Sequence, residues 1–198
     1  MACIRGFIPV LAVAVLLTAC QQPGADAPAT AADTSPAALI ELGRSIVETS
    51  GCHDCHTPKV FGRPVPELDE DRWLAGQPVE AAVMDSLPAE LSLEPGGWGA
   101  VTNNHLTAWG GPWGISFSIN LTPDQETGIG SWTEEMFIQS LRTGKHQGTG
   151  RDILPPMPWA LYGKKTDREL KGMYAYLMSL PPVNNPVPEP AAPEDIGP

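Results

Sequence analysis

Apolar positions along the chain fall into three helical stretches separated by long irregular ones. In the first, Leu39, Leu42, Ile46 and Val47 recur at helical spacing on one face. Ser35 can cap such a helix, Pro36 is tolerated in its first turn, and Gly51 ends it. Gly43 lies on or beside the apolar face. Glycine weakens a helix, so its place there predicts close packing against another element. In the second stretch, Ser131-Trp132-Thr133-Glu134 reads as a capping box. It opens a helix through Leu141 with Trp132, Met136, Phe137, Ser140 and Leu141 near one face, and Gly144 as its stop. In the third, Thr166-Asp167-Arg168-Glu169 is another capping box. Leu170, Met173, Tyr174, Leu177 and Leu180 follow at i, i+3, i+4, i+7 and i+10, and Pro181-Pro182 ends the helix.

The intervening segments lack this periodicity. Within residues 59–119, Arg72 to Gly76 reads as a turn and Pro78 to Leu87 as a short helix. From Gly96 the chain is rich in glycine and tryptophan. Residues 120–130 form a loop with turn residues at Pro123-Asp124 and Gly128. Residues 21–37 and 183–198 carry Ala, Pro, Thr and acidic residues with few large apolar side chains. They cannot bury enough surface to offset chain entropy, so the first reads as a flexible tether and the second as a disordered tail.

Composition refines this picture. The chain has 198 residues, a length that suits one domain with extensions. Its 22 prolines and 20 glycines agree with long irregular segments. The net charge of −11 argues against nucleic acid, whose binders need basic patches, and suits a partner with a positive patch. Residues 1–20 read as an export segment: Arg5 supplies the positive start, and Phe7 to Leu17 an apolar run too short for a membrane span. Leu17-Thr18-Ala19-Cys20 resembles a bacterial lipobox, which implies cleavage before Cys20 and a lipid on its thiol; an ordinary secretory signal is the alternative. Removing residues 1–19 leaves 11 basic and 23 acidic residues, a charge of −12. Gln21 after the cysteine favours the outer membrane in Gram-negative lipoproteins.

The candidate chemistry lies in Cys52-His53-Asp54-Cys55-His56. Two thiols two residues apart, followed at once by an imidazole, form the attachment pattern of c-type haem. Each thiol can add to one vinyl group of the porphyrin, and His56 then lies under the iron as a nitrogen ligand. A redox dithiol would sit in a βαβ context, which is missing here. A zinc site would need a fourth ligand, and no second cysteine pair exists. With Cys3 discarded, Cys20 lipidated, and Cys52 and Cys55 on haem, no thiol is left for a disulfide. Export agrees with haem attachment outside the cytoplasmic membrane. The tryptophans Trp98, Trp109 and Trp113 then suggest a loop that walls the haem or docks a partner, or an insertion covering its own small core; the second is favoured.

Gly43-Arg44, the apolar turn after it, and Gly51 to Pro58 resemble the start of a class I cytochrome c domain. Asn120 to Gly144 resembles the central segment of cytochrome c subunits of bacterial membrane-bound dehydrogenases, and the last helix resembles the family's closing helix. The resemblance covers residues 38–182, with 59–119 as an insertion. It implies an all-α fold of a few helices around one covalent haem, and a small residue, Gly43, where the first and last helices cross. It also implies a sixth ligand at Met157, within Leu154-Pro155-Pro156-Met157-Pro158-Trp159, where prolines hold the backbone extended. Met136, Met173 and Met178 lie in helical patterns, Met84 in the unreadable region, and His105 and His146 are alternatives. The expected function is a one-haem electron carrier on the periplasmic side of a bacterial membrane, between a dehydrogenase and a respiratory acceptor. A haem enzyme or small-ligand binder with a labile sixth site is the competing class.

Overall fold

Helix α1 (Pro36–Thr49) crosses helix α5 (Asp167–Ser179) backbone to backbone. A Cβ on Gly43 would stand 1.8 Å from the Gly172 carbonyl oxygen, so no side chain fits there. Gly172 faces back: a Cβ on it would lie 3.0 Å from the Leu39 carbonyl oxygen and 3.2 Å from the Gly43 nitrogen. Gly43 therefore sits where the sequence places it, and Gly172 is the partner that the periodicity does not reveal. These features belong to a computed structural model that describes residues 35–62, 64–81, 88, 91 and 99–196. The expected signal segment, Cys20, the tether up to Thr34 and Trp98 lie outside the described residues.

Local chemistry sets the helix ends. Ser35 caps α1 by accepting from the Ala38 N–H at 3.3 Å. Thr166 and Glu169 form the reciprocal box at the start of α5: the Thr166 N–H donates to Glu169 Oε2 at 2.7 Å, and the Glu169 N–H to Thr166 Oγ1 at 3.3 Å. Helix α3 (Glu134–Thr143) starts later than expected. Its cap is Thr133, whose Oγ1 accepts from the Met136 N–H at 3.1 Å, and the box at Ser131 does not form. Trp132 decides the matter. Its side chain is buried, its N–H donates to the Ile129 carbonyl, and its own carbonyl accepts from Tyr174 Oη at 2.7 Å. These ties hold residue 132 outside the helix. Met136 is consequently exposed, while Phe137, Ile138, Ser140 and Leu141 form the buried face. Gly144 ends α3 in the left-handed conformation at φ +70°. Two short helices complete the set among the described residues: α2 (Cys52–His56) and α4 (Trp159–Tyr162). The main core gathers Val47, Leu74, Ile129, Leu170 and Leu177.

The insertion carries strands, so the fold is not purely helical as expected. β1 (Lys59–Val60) pairs antiparallel with β2 (Glu67–Leu68). β3 (Val101–Thr102), β4 (Ala108–Gly111) and β5 (Gly114–Phe117) form an antiparallel sheet in that order. Gly111 pairs with Gly114 across the two-residue turn Pro112-Trp113, and Gly114 takes φ +95°. Strands this short, and part glycine, carry no readable alternation. Of the expected helix at 78–87, residues 78–81 form a turn closed by the Ala81 N–H on the Pro78 carbonyl; 82–87 lie outside the described residues.

The segment after α5 also differs from expectation. Its described residues, 183–196, are docked. Ala191 exchanges both backbone hydrogen bonds with Ile115, at 2.9 and 3.0 Å. Val187, Ala191 and Ile196 pack on Ala108, Ile115 and Phe117, which gives the insertion its own small core. Three apolar side chains spread over ten residues suffice here because β5 supplies the complementary surface. No helix among the described residues is long and apolar enough to cross a membrane.

Candidate functional site

The Cys52–His56 motif forms the one-turn helix α2, entered through Gly51 at φ +72°. His56, its last residue, is 8% exposed. Its Nδ1 lies 2.8 Å from the Ile119 carbonyl oxygen. That contact requires the proton on Nδ1, which leaves the Nε2 lone pair available as a donor to a metal. Burial lowers the His56 pKa, outweighing the Ile119 hydrogen bond, so the ring is held neutral, as a ligand must be.

A turn from the insertion secures this arrangement. The Gly76 N–H donates to the His56 carbonyl at 2.7 Å, and the Leu74 N–H to Thr57 Oγ1 at 2.9 Å. On its other side, the Gln77 N–H donates to the Ser118 carbonyl at 2.9 Å, and the Leu74 carbonyl accepts from Leu121 at 2.9 Å. Gly76 has φ +81°, and a Cβ there would come within 2.4 Å of the Ser118 carbonyl oxygen. Leu74 holds φ +59° while fully buried. The expected turn at 72–76 is thus the wedge between His56 and the backbone that orients it. Sequence reasoning marks the turn but not its partner, because a backbone carbonyl at Ile119 has no signature in residue type.

Cys52, Cys55 and His56 line one cavity together with Met157. Its walls come from β4 and β5 through Trp109 and Phe117, from α3 through Phe137 and Leu141, and from α5 through Met173 and Leu177. The insertion therefore does both things considered for it: it covers a small core and walls the cavity. Burial raises the Cys52 pKa to about 11 and the Cys55 pKa in the same direction. Thiols held neutral do not suit a dithiol exchange site, which works through the thiolate. Among the described residues, no group of three or more His, Cys, Asp or Glu could hold a metal ion.

Met157 is carried on a braced segment. Ser116 Oγ donates to the Pro155 carbonyl at 2.5 Å, and the Trp159 N–H donates to the Met157 carbonyl at 2.9 Å. The Trp159 ring lies over Gly144, where a Cβ would come within 2.5 Å of it. Met173 also reaches the cavity, from within α5. The other candidates are placed elsewhere or differently. Met136 is exposed. His53 stacks on Trp73 with centroids 5.2 Å apart, and His105 Nδ1 accepts from the Lys59 N–H at 3.0 Å. His146 is on the cavity wall, edge-on to Trp132 at 4.9 Å.

No protein-family model matches the chain. It is 28% identical over 152 residues to a nicotinate dehydrogenase subunit of Pseudomonas putida, covering 77% of this chain and 9% of that protein. It is 39% identical over 79 residues to the fructose dehydrogenase cytochrome subunit of Gluconobacter japonicus, covering 39% and 16%. It is 28% identical over 141 residues to the cytochrome c subunit of the quinone alcohol dehydrogenase of Gluconobacter oxydans, covering 71% and 21%. The matches therefore span between 9% and 21% of these relatives' length. The chain is similar to cytochrome c subunits of bacterial dehydrogenases.

Proposed function

We propose that the cavity holds one haem c, joined by thioethers to Cys52 and Cys55 and ligated axially by His56 and Met157. In this reading the protein carries electrons between a dehydrogenase and a respiratory acceptor. One observation carries it: His56 and Met157, 101 residues apart, line the same apolar cavity as both cysteines, and His56 has its Nδ1 engaged by a backbone carbonyl. Bound there, haem supplies a one-electron Fe(III)/Fe(II) couple. The chain's part is to hold both ligands at fixed places and to keep water out. Ile119 sets the imidazole's tautomer and rotation, and the bracing of the Pro155–Pro158 segment leaves Met157 little entropy to lose. With His56 and Met157 both holding the iron, no site would be open to a substrate, which favours a carrier over a haem enzyme.

The relatives named as cytochrome subunits of dehydrogenases support a dehydrogenase as one partner. The acidic chain fits a partner surface of opposite charge, with an on-rate that falls as salt rises. The lipobox at Leu17–Cys20 would anchor the protein through Cys20 after loss of residues 1–19, on a tether of residues 20–34 that ends at the cap of α1, at the periplasmic side of a bacterial membrane and most simply the outer one.

Expression with a cytochrome maturation system tests the reading. One covalent haem per chain should appear in the pyridine haemochrome spectrum of the denatured protein and vanish in Cys52→Ser/Cys55→Ser. Covalent haem persisting in the double variant would sink the attachment assignment. Labelling with a radioactive fatty acid should likewise disappear in Cys20→Ser; retained label would refute the anchor.

A further inference from the structure

The segment after α5 is built into the molecule at three places. The Val183 carbonyl accepts from Asn120 Nδ2 at 2.7 Å. Asn185 is buried, with its side-chain amide and its backbone N–H engaged. Its Nδ2 donates to the carbonyls of Ala75 at 2.7 Å and Gln77 at 2.8 Å, its Oδ1 accepts from the Val79 N–H at 3.2 Å, and its N–H donates to Thr127 Oγ1 at 3.0 Å. The third place is the pairing of Ala191 with Ile115. It depends on the glycine next door: a Cβ on Gly114 would lie 2.0 Å from the Ala191 carbonyl oxygen. Between the second and third places, Pro190 forms part of the cavity wall. Beside it, Glu189 Oε2 lies 3.3 Å from Arg151 Nε. Among the described residues, Arg151 is the only lysine or arginine on that wall.

We infer that residues 183–196 complete the cofactor site: Pro190 is a fixed wall that shields the cofactor from water, and Glu189 positions Arg151, the cation beside it. This rests on the haem reading above. Asn185 joins this segment to the backbone of the Leu74–Gln77 wedge, so the elements that orient His56 and close the wall are held together. The oxidised iron carries one more positive charge than the reduced iron. Water stabilises the more charged state, so a wall that excludes water raises the reduction potential. Arg151 acts in the same sense, and Glu189 opposes it both directly and by drawing the guanidinium to itself. The pair is solvent-accessible, so its effect weakens as salt rises.

Redox titration of haem-loaded variants tests this. A chain ending at Val187, which also lacks Glu189, should be at least threefold harder to reduce than the full-length Glu189→Gln variant, a fall of about 28 mV at 59 mV per tenfold for one electron. Arg151→Gln should lower the potential and Glu189→Gln should raise it, both more at low salt than at high salt. A shortened chain with an intact haem spectrum and a potential within threefold of the full-length Glu189→Gln variant overturns the wall. Shifts of the same sign in the two charge variants overturn the positioning role. If the shortened chain does not fold, Ala191→Pro, which removes the N–H donor to Ile115 and keeps Glu189, is read by the same threefold criterion against the full chain. Absence of covalent haem from the full chain overturns the haem reading and this inference together, whereas an unchanged potential in a haem-loaded variant counts against the wall alone.

Discussion

His56 Nδ1 and the Ile119 carbonyl oxygen are 2.8 Å apart across 63 residues of sequence. This bond joins the cysteine motif to the segment that leaves β5, and the Leu74–Gln77 turn is wedged behind it. Substituting Gly76 attacks the arrangement without touching the ligand. Gly76→Ala forces a side chain into a left-handed backbone, costing about 1–2 kcal/mol, and drives Cβ onto Ser118 and Ile119. We expect a total loss of about 3 kcal/mol in denaturant unfolding. Gly62→Ala, also at positive φ but with open space around it, should lose only the backbone part.

The helix crossing makes a second, graded prediction. Helix propensity alone favours alanine over glycine by about 1 kcal/mol. Gly172→Ala meets contacts at 3.0–3.2 Å, which offset that gain, so its stability should change little. Gly43→Ala meets backbone at 1.8 Å and must separate α1 from α5; a loss of about 3 kcal/mol or more is expected. Equal effects at the two glycines would contradict the crossing geometry.

Capping at α3 separates two residues that the sequence does not. Thr133→Ala should cost about 1 kcal/mol, because the Met136 N–H loses its acceptor. Ser131→Ala should be nearly neutral. The reverse order would restore the box at Ser131.

Acid sensitivity should arise partly at His105. Burial, its largest cause, and nearby Arg72 hold its pKa below the usual imidazole value, and Lys59, Asp69 and Glu80 also face it. Its Nδ1 accepts from the Lys59 N–H, which the protonated ring cannot do. The unfolded chain therefore binds a proton first as pH falls through about 6.5. Stability from this group is complete above that value and is lost as pH falls towards the folded pKa. His105→Gln should flatten the stability–pH curve in that window; an unchanged slope would rule the group out.

What was legible in the sequence was what local pattern encodes. The cysteine motif, the caps at Ser35 and Thr166, the stop at Gly144 and the close approach at Gly43 follow from residue type and spacing, and the structure contains each of them. What was hidden depends on distant surfaces. Ile119 acts through its backbone. Ser131 and Thr133 are equivalent as caps until the burial of Trp132 chooses between them. Strands β3 to β5 are too short and glycine-rich to show alternation, and Val187, Ala191 and Ile196 look too sparse to dock until β5 is present. Met157 lay between the two. Its prolines suggested a braced segment, but only the folded chain brings that segment to the cavity with the cysteines.

Among the described residues, two methionines, Met157 and Met173, reach that cavity, and the proposed sixth ligand is Met157. The deciding measurement is carbon monoxide binding by the reduced protein, read beside the weak red absorption of a Met–Fe(III) bond in the oxidised protein. Wild type and Met173→Leu should show the red band and no carbon monoxide complex, while Met157→Ala should lose the band and bind carbon monoxide. A Met157→Ala protein that keeps the band, or a wild type that binds carbon monoxide readily, would contradict the carrier with His56 and Met157 on its iron.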